Sequence, residues 1–285
     1  MKKMIATDVE GSSIIEGTGD LSDAAFVQRF VLSEYWIDAQ KMSMSFDGKH
    51  LYITTGYEKA VAHYELSTPF DISTMTFQDT LVFNFGIGGK LPVATAHVKI
   101  SDDGLTLNTF TITSSPTTQY VVRHSLPTAY SLVGASRDAV TISGGTFLFP
   151  PSSPDIIIKQ GPGNNYTQYE MSTAWDVSTA TFQETSPVDP NYPSSVDVLH
   201  SIGFGDRAYT HALLPSNTAT IVQYNYGTRW DVGTFAWQAT TNIRTYDNAS
   251  ERTAGVEASY GVHKLYTLVK DVTNSETIIY EFDMV

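Results

Sequence analysis

Glycine-rich turns, scattered histidines and an excess of acids are the features of this chain that could do chemistry. FGIGGK at 85–90 has the glycine density of a phosphate-binding loop, which cradles phosphates with backbone N–H groups. That loop needs a longer interval between its glycines and a Ser or Thr after the lysine, and here Leu91 follows. The stretch is expected to be a connection between repeats. SDDGLT at 101–106 approaches the sialidase Asp-box, in which Ser, Asp and Gly stand at alternate positions, but Asp103 and Gly104 are adjacent. Seven histidines (His50, His63, His97, His124, His200, His211, His263) show neither the i, i+4 nor the H-x-H spacing of a metal site. Several fall on repeat positions, so packing explains them first. No serine sits in a GxSxG elbow, and no Ser, His and acid trio stands out. Paired carboxylates for glycoside hydrolysis can come from distant segments and leave no linear trace. With no cysteine, disulfides, zinc-thiolate sites and thiol nucleophiles are excluded, and no cofactor is expected.

The elements that would position such residues are strands. Tyr (16), Phe (14) and Thr are plentiful, which suits a pleated, half-buried surface. A chain of 285 residues is long enough for one large repeating all-β domain over 1–285. The formal charge of −13, with 17 Lys plus Arg against 30 Asp plus Glu, argues against nucleic acid and anionic membranes, which require clustered cations. An acidic surface keeps a many-copy protein soluble. The start, MKKMIATDVEGSS, lacks the apolar run of a secretion signal, and no stretch is apolar enough for a spanning helix, so no membrane insertion is expected. The sequons at Asn165 and Asn248 read as accidents of composition.

HYELSTPFDISTMTFQDT at 63–80 recurs as QYEMSTAWDVSTATFQET at 168–185, with eleven of eighteen positions identical. QYNYGTRWDVGTFAWQAT at 223–240 keeps nine of eighteen against the second copy. Anchored on its first aromatic, the phrase appears at Phe30, Tyr64, His124, Tyr169, Tyr224 and Tyr280. The gaps are 34, 60, 45, 55 and 56 residues, a spacing that matches a propeller blade. The fold expected is therefore an all-β propeller of six blades, each of three to four antiparallel strands, with five or seven as alternatives.

A second phrase precedes the anchor: SFDGKHLYI at 45–53, SDDGLTLNT at 101–109 and SYGVHKLYT at 259–267. Asp-Gly between alternating apolar runs signals a hairpin, because Gly accepts positive φ. MSMSF, DG, HLYIT then reads as strand, turn, strand, and the anchor strand completes a meander. In the anchor phrase, the Trp or Phe is expected to wedge between neighbouring blades, and Asp71, Asp176 and Asp231 to accept backbone N–H groups two residues on. Residues 24–37 carry both a helical spacing and the repeat phrase FVLSEYW; the strand reading is preferred on the repeat, with a first unit less regular than the rest.

The Pro-rich connections FPPSSPD (149–155) and SPVDPNYP (186–193) are stiff segments of the kind that carry recognition. Tyr192, between Pro190 and Pro193, and Phe204 in IGFGDR are the candidate ligand or partner contacts, each with packing as its alternative.

The recurring Y-x-L-S-T-x-W-D phrase, preceded by S-x-D-G-x-x-L-Y, resembles the tandem repeat of propeller-like proteins encoded by tailed bacteriophages and aquatic microbes. The resemblance covers about five of the six units and breaks where the Asp becomes Ser131. It implies a virion component made in the host cytoplasm, associated with tail, fibre or head, whose partners are other virion proteins. The expectation is a noncatalytic structural or adhesion ring. A module binding a host-surface glycan or receptor is the alternative, and a propeller glycosidase or lyase a third.

Overall fold

The computed structural model describes residues 24–32, 39–55, 59–83, 92–113, 118–142, 146–149, 153–160, 166–186, 199–201, 207–213, 219–226, 231–242, 251–258, 264–271 and 276–284. After an initial strand β1 (Ala24–Leu32), strands follow in fours. Blade 1 comprises β2 (Ala39–Met44), β3 (His50–Thr55), β4 (Ala60–Leu66) and β5 (Met75–Val82); blade 2 comprises β6 (Pro92–Ile100), β7 (Thr106–Thr113), β8 (Thr118–Ser125) and β9 (Ser136–Ile142). Blade 3 comprises β10 (Thr146–Leu148), β11 (Ile156–Gln160), β12 (Tyr166–Met171) and β13 (Ala180–Thr185); blade 4 comprises β14 (Leu199–Ser201), β15 (Arg207–Leu213), β16 (Ala219–Tyr226) and β17 (Phe235–Asn242). Blade 5 has β18 (Glu251–Ala258), β19 (Lys264–Asp271) and β20 (Glu276–Met284), with β1 as its outermost strand. Each sheet is an antiparallel meander of four strands.

The first strands touch in succession, β2 on β6, β6 on β10, β10 on β14, β14 on β18 and β18 back on β2. This is a β-propeller. Six anchors resolve into five sheets because two of them share a blade: β1 pairs with β20, and Phe30 lies opposite Ile279, one step from Tyr280. The expected six blades are corrected to five among the described residues, the smaller of the alternatives held open. Residues 24–32 are strand, as preferred, but they complete the last blade instead of opening an irregular first one.

Local chemistry explains the repeat. In blade 1 the β2–β3 hairpin is closed by Ser45 N–H donating to the His50 carbonyl (2.8 Å), and Asp47 Oδ1 accepts from Ser45 Oγ (2.6 Å) and Lys49 N (3.0 Å). Blade 2 repeats this with Ser101, Asp103 and Leu105. Gly48 and Gly104 both have φ of 70°. A Cβ on Gly48 would lie 2.5 Å from the Phe70 ring, and one on Gly104 2.7 Å from Tyr130. The glycines therefore supply both the turn and the seat for the anchor-phrase aromatic.

Those aromatics are Phe70, Tyr130 and Trp175, all at positive φ (65°, 66° and 62°). Left-handed backbone at a bulky residue costs about 1–3 kcal/mol. Packing offsets it. Phe70 and Ile72 lie in one cluster with Tyr266, Leu268 and Ile279 of blade 5, and Trp175 and Val177 with Phe110 and Val121 of blade 2. Leu132 and Tyr130 meet Tyr52 and Val61 of blade 1. The expected wedge between blades is what the structure has, since a single four-stranded sheet cannot cover its own apolar faces. The expected Asx turns are present too: Asp71 accepts from Ser73 N at 3.0 Å, Asp176 from Ser178 N at 3.1 Å and Asp231 from Gly233 N at 2.9 Å.

Candidate functional site

Polar side chains at equivalent positions of the second and third strands reach from blades 1, 2, 3 and 5 to the anchor turn of the next blade. In the second strand, Tyr52 donates its hydroxyl to the Tyr130 carbonyl (2.7 Å), Asn108 its amide to the Trp175 carbonyl (3.2 Å) and Tyr266 its hydroxyl to the Phe70 carbonyl (2.7 Å). The accepting carbonyl always belongs to the positive-φ aromatic. These bonds link blades 1 to 2, 2 to 3 and 5 to 1.

In the third strand the equivalent residues are His63, Arg123, Gln168 and Glu281, which lie opposite Tyr52, Asn108, Ile158 and Tyr266. Arg123 Nη1 meets Asp176 of blade 3 at 2.8 Å. Gln168 Oε1 accepts from Val232 N of blade 4 (3.3 Å), and Glu281 Oε2 from Ile72 N of blade 1 (3.4 Å). Outer-strand residues add to this. Gln28 donates to both Glu281 (2.8 Å) and Asp71 (2.9 Å). Lys264 holds Glu281 and Asp283 from the other side.

The blade 1 version has the composition of a catalytic relay. His63 Nδ1 lies 3.0 Å from Asp79 Oδ1, and its Nε2 lies 3.0 Å from His50 Nδ1. Asp79 Oδ2 accepts from Ser131 Oγ (2.9 Å) and Leu132 N (3.1 Å) of blade 2. The protons can be placed by elimination. With the carboxylate as acceptor, His63 Nδ1 must donate, so its Nε2 is bare and accepts from His50 Nδ1. His50 Nε2 then carries a lone pair and has no partner among the described residues. Burial lowers the pKa of both rings, with nearby acids opposing it, so both imidazoles are neutral near pH 7. His50 stacks on Tyr130 (centroids 4.2 Å, 5°), and His63 on Tyr52 (4.9 Å, 11°). The rings are fixed in orientation. Chemically, the array can accept one proton at His50 and delocalise the charge toward Asp79.

The blade 3 to 4 junction differs. Glu184, the equivalent of Asp79, faces Asp231, and a Cβ on Gly233 would lie 2.7 Å from Glu184 Oε2 and 3.0 Å from Asp231 Oδ1. Burial and then the Asp231 carboxyl raise the Glu184 pKa. Gly233 stands where the other turns have Ser73 and Ser178. This is the paired-acid arrangement that linear sequence could not reveal, but it lies on an outer strand, away from the axis.

Tyr192 and Phe204, the candidate contacts, lie outside the described residues, as do FGIGGK at 85–90 and the sequon asparagines Asn165 and Asn248. The sequence reading treated His50 and His63 as separate packing histidines and missed that they touch. The signal lies in the register of β4, which sets His63 opposite both Tyr52 and Asp79, while His50 stands two residues before Tyr52 on the same face of β3. Among the described residues, no group of three His, Asp or Glu is placed to hold a metal ion, and no helix is long and apolar enough to cross a membrane.

Compared with family models and with curated proteins, the chain matches none. Among solved structures it is similar to the glutaminyl cyclase of Myxococcus xanthus, with a TM-score of 0.57 and 13% identity over 92% of this chain and 97% of that one. It is equally similar (0.57, 10% identity) to a GH43 glycoside hydrolase engineered to display endo-xylanase and exo-arabinofuranosidase activity, covering 89% of this chain and 51% of the enzyme. At these identities the likeness establishes the fold. It also corrects the expectation of a noncatalytic protein, which rested on missing sequence motifs. Both of these structures are enzymes by name, so a chain of this shape without a linear motif is no sign that catalysis is absent.

Proposed function

We propose that this chain is a docking ring of a tailed-phage particle, made in the host cytoplasm and held on other virion proteins. The reading rests on the resemblance of the Y-x-L-S-T-x-W-D phrase to phage-encoded propeller repeats. One structural observation supports it: the phrase residues Phe70, Asp71, Trp175 and Asp176 work inside the ring, as wedges and turn caps. A ring latched this way is a rigid disc whose loops are free to vary with the partner. Quantitative mass spectrometry of purified particles tests it. The protein is expected at a fixed ratio to the major capsid protein; recovery only from the cytosol, never on particles, overturns it. A glycan array run on the same protein decides whether a host-surface sugar is bound as well.

A second reading, a catalytic ring, is favoured by the bare Nε2 of His50 behind a His63–Asp79 pair. Here His50 is the general base. Screening ester and glycoside panels with wild type and His50→Gln tests it; activity that survives the substitution removes His50 from the chemistry.

A further inference from the structure

We propose that loops 45–50, 101–105 and 126–135, on one face of blades 1 and 2, form a docking patch for a basic, apolar-bearing segment of a partner protein. The proposal names the contact surface of the docking ring and rests on that reading.

The three loops form one surface. Tyr130 N–H donates to the Gly104 carbonyl (2.8 Å) and its hydroxyl to the Asp102 carbonyl (2.7 Å), while His50 stacks on its ring. Asp47 is close enough for its charge to act on Tyr130. Phe46 (43% exposed), Leu105 (44%) and Val133 (67%) open from these loops. Val133 is the informative one. It occupies the turn position at which Ser73 and Ser178 give their hydroxyls to Asp71 and Asp176. Where two blades have a serine bonded to its own turn, blade 2 presents an isopropyl group to water. The Ser131 hydroxyl takes the capping role, accepting from Val133 N (3.3 Å) and donating to Asp79 (2.9 Å), so the Val133 side chain has no part in the turn's hydrogen bonds. Exposed apolar groups gathered on one face, rimmed by polar ones, mark interaction sites.

Charge selects the occupant. Asp47 and Asp103 each use Oδ1 to cap their own loop, and their Oδ2 atoms have no partner among the described residues. Asp102 and Asp103 are exposed, and Lys49 is the one cation in the three loops. Such a patch repels nucleic acid and anionic lipid and favours a segment that alternates Lys or Arg with apolar side chains. The outer-strand residues Phe77, Val82 and Phe182 are also exposed, but they sit on the rim.

The test uses the full chain and a fluorescein-labelled alternating Lys–Leu peptide, read by anisotropy. The variant Phe46→Ser/Leu105→Ser/Val133→Ser should melt with wild type and lose at least about tenfold in affinity. Asp102→Asn should lower affinity and flatten its salt dependence. A rim variant, Val82→Ser/Phe182→Ser, should bind as wild type does. Equal binding by wild type and the triple variant, or equal binding of a Lys–Gly peptide, overturns the patch. A negative peptide result with wild-type protein still found on particles overturns the patch and leaves the docking ring standing, whereas failure to copurify overturns the docking ring whatever the peptide does.

Discussion

Asp79 and Ser131 bridge blades 1 and 2 with acceptor and donor reversed relative to Gln28 and Asp71, which bridge blades 5 and 1. Where the turn carries the acid, as at Asp71 and Asp176, the preceding blade supplies a donor, Gln28 or Arg123. Where the turn carries Ser131, the preceding blade supplies the acid. The break in the repeat phrase at Ser131 is thus compensated one blade away, and these three junctions stay complementary while the residues change, whereas at the blade 3 to 4 junction the turn acid Asp231 faces a second acid, Glu184.

The seat of the wedge gives the first prediction. Gly48→Ala places a methyl group 2.5 Å from the Phe70 ring at φ 70°, and Phe70 is pinned between two blades. Urea unfolding should show a loss of about 2–4 kcal/mol. A loss under about 1 kcal/mol would mean that Phe70 is not held where the latch requires.

Tyr266 gives a second. Tyr266→Phe removes the donor to the buried Phe70 carbonyl and little else, so stability should fall by about 1–3 kcal/mol. Unchanged unfolding would show that this bond does not hold blade 5 to blade 1.

Much of this was legible in the sequence, and the boundary is physical. The Asp-Gly hairpin, the Asx turns at Asp71, Asp176 and Asp231 and the wedging aromatics are set by residues within a few positions of one another. The blade count was not, because a degenerate copy of the anchor phrase begins at Phe30, on a strand, β1, whose partner β20 lies at the far end of the chain. The latches between blades were not either: Asp79 finds Ser131 52 residues away and Gln28 finds Asp71 43 residues away. Pairings at such distances belong to the stacking of blades, and no local pattern encodes them.

Acid provides a third prediction. Burial lowers the pKa of His50, His63 and His124, the last to about 4. The unfolded chain therefore binds protons that the folded chain refuses. Their contribution is complete above about pH 6.5 and is lost as pH falls toward the folded values, with at most about 3 kcal/mol from His124. Urea midpoints at pH 7.5, 6 and 5 should decline in that order, and His124→Gln should flatten the slope. A flat profile would contradict the burial of these rings.

Glu184 should behave with the opposite sign. Its pKa is raised, so what it contributes is present below the ordinary carboxyl range and disappears as pH rises through the folded value. Glu184→Gln removes the repulsion from Asp231 at pH 7 and should raise the melting temperature there, with the gain shrinking toward pH 4. An equal gain at both pH values would show that the two acids do not share a proton.

Side-chain latches hold neighbouring blades together, and a double-mutant cycle on Asp79 and Ser131 measures one of them directly. Ser131→Asp should cost about 2 kcal/mol by setting two carboxylates face to face. Adding Asp79→Gln recreates the Gln28–Asp71 pairing of the neighbouring junction and should recover at least about 1 kcal/mol of that loss. If the two substitutions are simply additive in urea unfolding, Asp79 and Ser131 are not coupled and the latch between blades 1 and 2 does not exist as described.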